Sequence, residues 1–133
     1  MAVNPTDVRV LRYNQGRAFK APIGATAMRP GSLAKFDTNV LVPLADNDEN
    51  LAAYAILEQA DAANTDPGVL VVPFADAVLE LGYTGGTPTV GTSYGVTGPQ
   101  TVDVANTTQL LVTVVAVNTA RTTVDVIMYQ VAA

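Results

Sequence analysis

Short runs of β-branched and aliphatic residues, interrupted at intervals of about ten residues by Gly, Pro, Asn or Asp, fill the C-terminal part of the chain. "GVLVVPF", "AVLELGY", "TVGTSYGVTG" and "QTVDVA" come first; "LLVTVVAVN" and "TTVDVIMYQV" then flank the polar "NTAR" as a hairpin would. The spacing predicts an all-β barrel or sandwich rather than alternating βαβ units. In the last run Val124, Val126 and Met128 alternate with Asp125, Ile127 and Tyr129. The first set is expected to face the core. Ile127 and Tyr129 make the opposite face too apolar for plain solvent, so another part of the chain or a second subunit is expected to cover it.

Residues 50–63, "NLAAYAILEQADAA", carry two readings. Ala, Leu, Glu and Gln favour a helix capped by Asn50, but Leu51, Tyr54 and Leu57 with Glu58 form only a loose stripe. The alternation of Tyr54, Ile56 and Glu58 against Ala55, Leu57 and Gln59 favours a strand. Pro30 and Gly31 suit the centre of a type II turn in "RPGSLAKFD", after which Leu33 and Phe36 are expected in the core. "GYTGGTP" reads as a turn, and Pro73, unable to donate a ladder hydrogen bond, belongs at an edge or bulge. Residues 1–18 are polar enough for an extended N-terminal arm, which leaves a single barrel domain over residues 19–133.

At 133 residues, 49% hydrophobic and 14% charged, the chain is long and apolar enough to fold around one core. It contains no Cys, His or Trp. Thiolate nucleophiles, Ser-His-Asp machinery and the usual zinc, copper and haem ligand sets are therefore excluded, and neither catalysis nor a cofactor is expected. No apolar run reaches the about 18 residues of a membrane span, and "MAVNPTDVRV" lacks a secretory pattern, so a soluble chain made in the cytoplasm is expected.

Charge is unevenly placed: Arg9, Arg12, Arg17, Lys20, Arg29 and Lys35 face only Asp7 in the first 35 residues, and Arg121 alone faces eleven carboxylates afterwards. Such a leading segment suits an acidic protein surface, such as a neighbouring copy, better than DNA, which the acidic body would repel.

Tests for chemistry give little. "DNDEN" places Asp46, Asp48 and Asn50 at the first, third and fifth positions of a calcium loop, but Leu51 and Leu57 stand where glycine and glutamate are needed. The carboxylate pairs Asp76 with Glu80 and Asp61 with Asp66 have no evident cleft. "GYTGG" and "GTSYG" lack the Gly-Lys-Ser/Thr of a phosphate loop. Tyr83 and Tyr94 are candidate stacking residues, though isolated strand tyrosines more often pack half-buried.

"AMRPGSLAKFD", "AAYAILEQADAA", "VLVVPFADAVLEL" and "TVGTSYGV", leading to "VDVANTTQLLVTVVAVNTARTTVDVIMY", together resemble the small β-rich decoration, or cement, proteins of tailed-phage capsids over about residues 25–130. The resemblance implies an all-β fold, a small compact β-barrel or β-tulip, with an extended N-terminal arm. It also implies a non-enzymatic structural protein of the virion, assembled in the host cytoplasm and bound to the outer face of the head. Its partners would be the major capsid protein and neighbouring copies, commonly as a homotrimer, without direct nucleic acid or membrane contact. Within that reading Arg9, Arg12, Arg17 and Lys20 pair with an acidic neighbour, and Ile127 with Tyr129 makes an apolar subunit contact. The alternative is a tail- or assembly-associated β module with a carbohydrate-binding surface.

Overall fold

A computed structural model describes residues 8–49 and 51–130. They form eleven strands and two single-turn 3-10 segments, Gln15–Arg17 and Phe74–Asp76. The strands are β1 (Arg9–Tyr13), β2 (Phe19–Ala21), β3 (Leu33–Asp37), β4 (Val40–Pro43), β5 (Tyr54–Ile56), β6 (Val69–Pro73), β7 (Ala77–Thr84), β8 (Ser93–Val96), β9 (Thr101–Asp103), β10 (Val112–Asn118) and β11 (Thr123–Met128).

The first sheet runs β1-β7-β11-β10-β8-β9, and β9 returns to pair in parallel with β7 through Gly82–Thr101, Tyr83–Val102 and Thr84–Asp103. That pairing closes a five-stranded barrel of β7, β11, β10, β8 and β9. The inward alternation of Leu79, Leu81, Val112, Val114, Val124 and Val126 fills it. Burying each such aliphatic side chain contributes about 1.5–3 kcal/mol. The expected hairpin is β10–β11, Val124 and Val126 are fully buried, and Met128 packs against the same core. Tyr94 is also interior, its hydroxyl accepting a hydrogen bond from Thr89 N at 3.0 Å. It is therefore not a stacking residue, and Tyr83 packs, partly buried, against the same cluster.

The second sheet runs β2-β6-β5-β3-β4. Its outer strands meet where Ile23 bridges Leu41 in parallel, Leu41 N donating to Pro22 O (2.8 Å) and Gly24 N to Leu41 O (3.0 Å). Both faces of this sheet carry buried residues. Leu33, Ala55 and Val72 join the barrel's core, whereas Ala34, Ile56 and Val71 face a smaller core with Ile23, Leu41 and Met28. Period-2 alternation thus sends successive residues of one strand to two different cores. Residues 54–56 are a strand, as the alternation suggested, and Pro73 ends β6 beyond the last β2 pairing at Val71.

Three expectations need correction. Residues 9–13, assigned to the arm, are β1, paired antiparallel with β7 from Arg9–Glu80 to Tyr13–Ala77. A bulge at Leu11 breaks the alternation, so that Val10 and Tyr13 both pack on the core while Leu11 and Arg12 are exposed. Only residues 1–7 of the expected arm lie outside the described residues. Phe36, expected in the core with Leu33, is 44% exposed because it stands at the mouth of the smaller core, edge-to-face with Tyr54 at 5.2 Å. Phe19 meets Tyr54 similarly at 5.9 Å. The turn after β7 begins at Gly85, since Gly82–Thr84 are still strand.

The type II turn is present: Ser32 N donates to Arg29 O at 3.1 Å, and Gly31 has φ +89°. Glycine is needed there twice over, because an added Cβ would lie 2.6 Å from the Arg9 Cα. The turn therefore packs directly under the start of β1.

Candidate functional site

The basic residues singled out from the charge split turn back on their own chain. Arg9 Nε donates to Glu80 Oε1 at 2.7 Å, Arg17 Nε lies 3.6 Å from Asp76 Oδ2, and Lys20 Nζ donates to Glu58 Oε1 at 2.7 Å. Lys35 Nζ reaches Asp48 Oδ2 at 2.8 Å, and Arg121 Nε donates to Glu80 Oε2 at 3.2 Å. The uneven charge along the sequence therefore cancels largely in space, the leading segment folding onto the acidic strands that follow it. Arg12 is exposed on β1 and, among the described residues, forms no ion pair; it acts on Asp125 only through space.

Glu80 is the hub of this network. It sits on the outer side of β7, only 3% exposed, roofed by the guanidiniums of Arg9 and Arg121 and accepting a 2.7 Å bond from the buried Thr123 hydroxyl. Burial alone would raise its pKa. The bonds from Thr123 and Arg9, with the positive charges of Arg9 and Arg121, outweigh burial and hold the carboxyl below the usual range. Its cross-strand neighbour Asp125 is pushed up, first by burial and then by the charge of Glu80. Glu58 is lowered by its bonds from Lys20 and the Leu70 amide. These carboxylates tie strands together; Asp76 and Glu80, considered as a catalytic pair, are each engaged by a guanidinium.

Asp48 is similarly occupied, accepting from Lys35 and from the Ala45 amide at 2.8 Å. Among the described residues no group of three acidic side chains is placed to hold a metal ion, and Asn50, the third member of the calcium-like pattern, lies outside them.

An apolar trough runs across the surface. Its centre, about 550 Å³, lies between the two sheets, lined by Leu51, Ala53, Tyr54, Pro73, Leu110 and Tyr129 among others. Towards β1 it continues, sharing Ala75, Met128 and Gln130, into a hollow of about 350 Å³ walled by Arg12, Tyr13, Val78 and Ile127. In the other direction, sharing Leu51, Ala52 and Tyr54, it opens past Lys35, Phe36 and Asp37. The central section is lined by no carboxylate, Lys or Arg; its polar side chains are Tyr54, Tyr129 and Gln130, and the rest of its surface is apolar.

Of the six residues singled out from the sequence, Arg12, Ile127 and Tyr129 come together on this trough, and Arg9, Arg17 and Lys20 are held in pairs within the chain. Ile127 remains 36% exposed, so the apolar outer face of β11 is not fully covered by the described residues. Sequence reasoning missed Leu51, Leu110 and Phe36 as surface residues. Only Phe36, beside a turn and followed by charge, carried any signal. The chain matches no protein-family model, no curated protein and no solved structure.

Proposed function

We propose that this chain is a non-enzymatic structural protein of the virion, a decoration or cement protein that binds the outer face of a tailed-phage head and stabilises the expanded shell. The observation that carries the reading is the trough: a long apolar concavity whose centre is lined by no carboxylate, Lys or Arg and whose charged residues stand only at its ends. A surface of that kind fits an apolar protein segment better than a polar small molecule. The sequence resemblance described above points the same way. The partners are the major capsid protein and neighbouring copies, as a homotrimer at three-fold positions on the capsid surface.

The work done is mechanical. A subunit that binds only the expanded shell stabilises it by mass action, and contacts to several capsid subunits at once supply avidity beyond any single contact. Because Arg9, Arg17 and Lys20 are satisfied internally, the trough and Arg12 carry the docking.

Purified protein mixed with shells that lack it is expected to add density at three-fold positions and to raise the temperature at which the shells open. Leu110→Asp, which puts a charge in the trough, is expected to abolish both; Leu110 is half-buried, so the protein's own melting is expected to fall somewhat, and binding is read at a temperature where the variant is still folded. Unchanged occupancy with Leu110→Asp sinks the trough reading, and bare shells with wild-type protein sink the function. A glycan array positive for a monomer would favour the carbohydrate-binding alternative.

A further inference from the structure

The two ends of the trough differ in a way that makes them fit each other. At one end Phe36 projects with 44% of its surface exposed, beside the exposed carboxylate of Asp37, whose only described side-chain partner is the Thr38 hydroxyl at 3.3 Å. At the other end is a hollow whose apolar walls are Tyr13, Val78 and Ile127 and whose lining carries Arg12 and also Asp76, the carboxylate of which Arg17 Nε already engages at 3.6 Å. One end thus offers a protruding ring beside a carboxylate, and the other a cavity whose Asp76 is engaged by Arg17 and whose Arg12 forms no ion pair among the described residues.

We infer that the Phe36–Asp37 corner of one copy seats in the Arg12–Ile127 hollow of a second copy, with Asp37 pairing Arg12 across the contact. The inference deepens the proposed function and rests on its reading of the trough as a protein-binding face. Charge complementarity decides for a second copy over an unrelated segment. Each copy carries both halves of the match, and among the described residues neither Arg12 nor Asp37 forms an ion pair. Corner and hollow lie at opposite ends, so a copy uses them with different neighbours, head to tail. Repetition of such a heterologous contact closes into a ring when the rotation between copies allows it. The Phe36 ring supplies the apolar area, and the charge pair at its edge fixes orientation.

The test is charge reversal, read by sedimentation equilibrium of the full chain. Wild-type protein is expected to self-associate. Arg12→Asp or Asp37→Arg alone weakens association by about tenfold or more, and the double reversal restores it to within about threefold of wild type. Phe36→Ala weakens it as well. Asp37 is exposed, so the melting curve of Asp37→Arg should overlay that of wild type, whereas the two variants carrying Arg12→Asp bring a like charge towards Asp125 and should melt slightly lower while remaining folded. A wild-type protein that stays monomeric, single reversals without effect, or a double reversal no better than the singles overturns the inference. A monomer that still binds shells through the trough removes this inference and leaves the proposed function standing. Intact self-association with no shell binding does the reverse.

Discussion

Glu80→Ala removes the one carboxylate that joins β1, β7, β11 and the β10–β11 turn. The two guanidinium contacts, at 2.7 and 3.2 Å, are made by side chains 61% and 41% exposed, so each is screened and contributes about 0.5–1 kcal/mol. Thr123 is different. It is fully buried, its hydroxyl is bonded to Glu80 at 2.7 Å, and stranding it costs about 1–3 kcal/mol. With about 1 kcal/mol for the lost methylene packing, the substitution is expected to cost about 4 kcal/mol. Urea unfolding at pH 7 measures this directly, with an unchanged slope showing that the transition remains two-state. Adding Thr123→Val removes the stranded hydroxyl, so the double variant should regain about 1–2 kcal/mol over Glu80→Ala alone. A cost under about 1.5 kcal/mol, or no recovery in the double variant, would refute the assignment of Glu80 as a buried hub.

Three further substitutions examine this carboxylate and its surroundings. The carboxyl of Asp125 is raised in the folded chain, so its ionised form opposes folding; Asp125→Asn should increase the urea midpoint at pH 7 and give no gain near pH 3, where the carboxyl is protonated whether folded or not. Glu80 has the opposite sign, its contribution being present above the unfolded carboxylate range and lost as pH falls through its lowered folded value, and a pH series on Glu80→Gln should show that loss flattened. Gly31→Ala forces a positive φ on alanine and drives its Cβ against the Arg9 backbone, so a destabilisation of about 2 kcal/mol and faster amide exchange over residues 9–13 are expected. Normal exchange in β1 would mean that the turn and the strand do not support each other.

Legibility in the sequence followed the local physics of each strand. β7, β10 and β11 could be read because one face of each lies in the barrel, and alternation or a β-branched run records that fact. β1 could not, because the bulge at Leu11 puts Leu11 and Arg12 on the same exposed side and destroys the period. β5 was difficult for a different reason. Tyr54, Ala55 and Ile56 are all at least partly buried against two cores, so no polar face marks the strand. The charge split was visible, but its meaning was not, since the pairing of Lys20 with Glu58 and of Arg9 with Glu80 depends on contacts 38 and 71 residues apart. The trough was half legible: Ile127 and Tyr129 announced an apolar outer surface, but Leu51, Tyr54 and Leu110 reach it from separate segments that only the fold brings together.

The two parallel contacts, β9 on β7 and Ile23 on Leu41, have a consequence for a protein crowded at high local concentration. Each joins the margins of its own sheet and leaves little unpaired backbone on which a stray chain could nucleate a further strand. Among the described residues the outer side of β1 has no partner strand, and there the kink at Leu11 and the charges of Arg9 and Arg12 disfavour a flat one. Copies can thus lie against one another through side chains, by packing that remains reversible, without their backbones merging into a common aggregate.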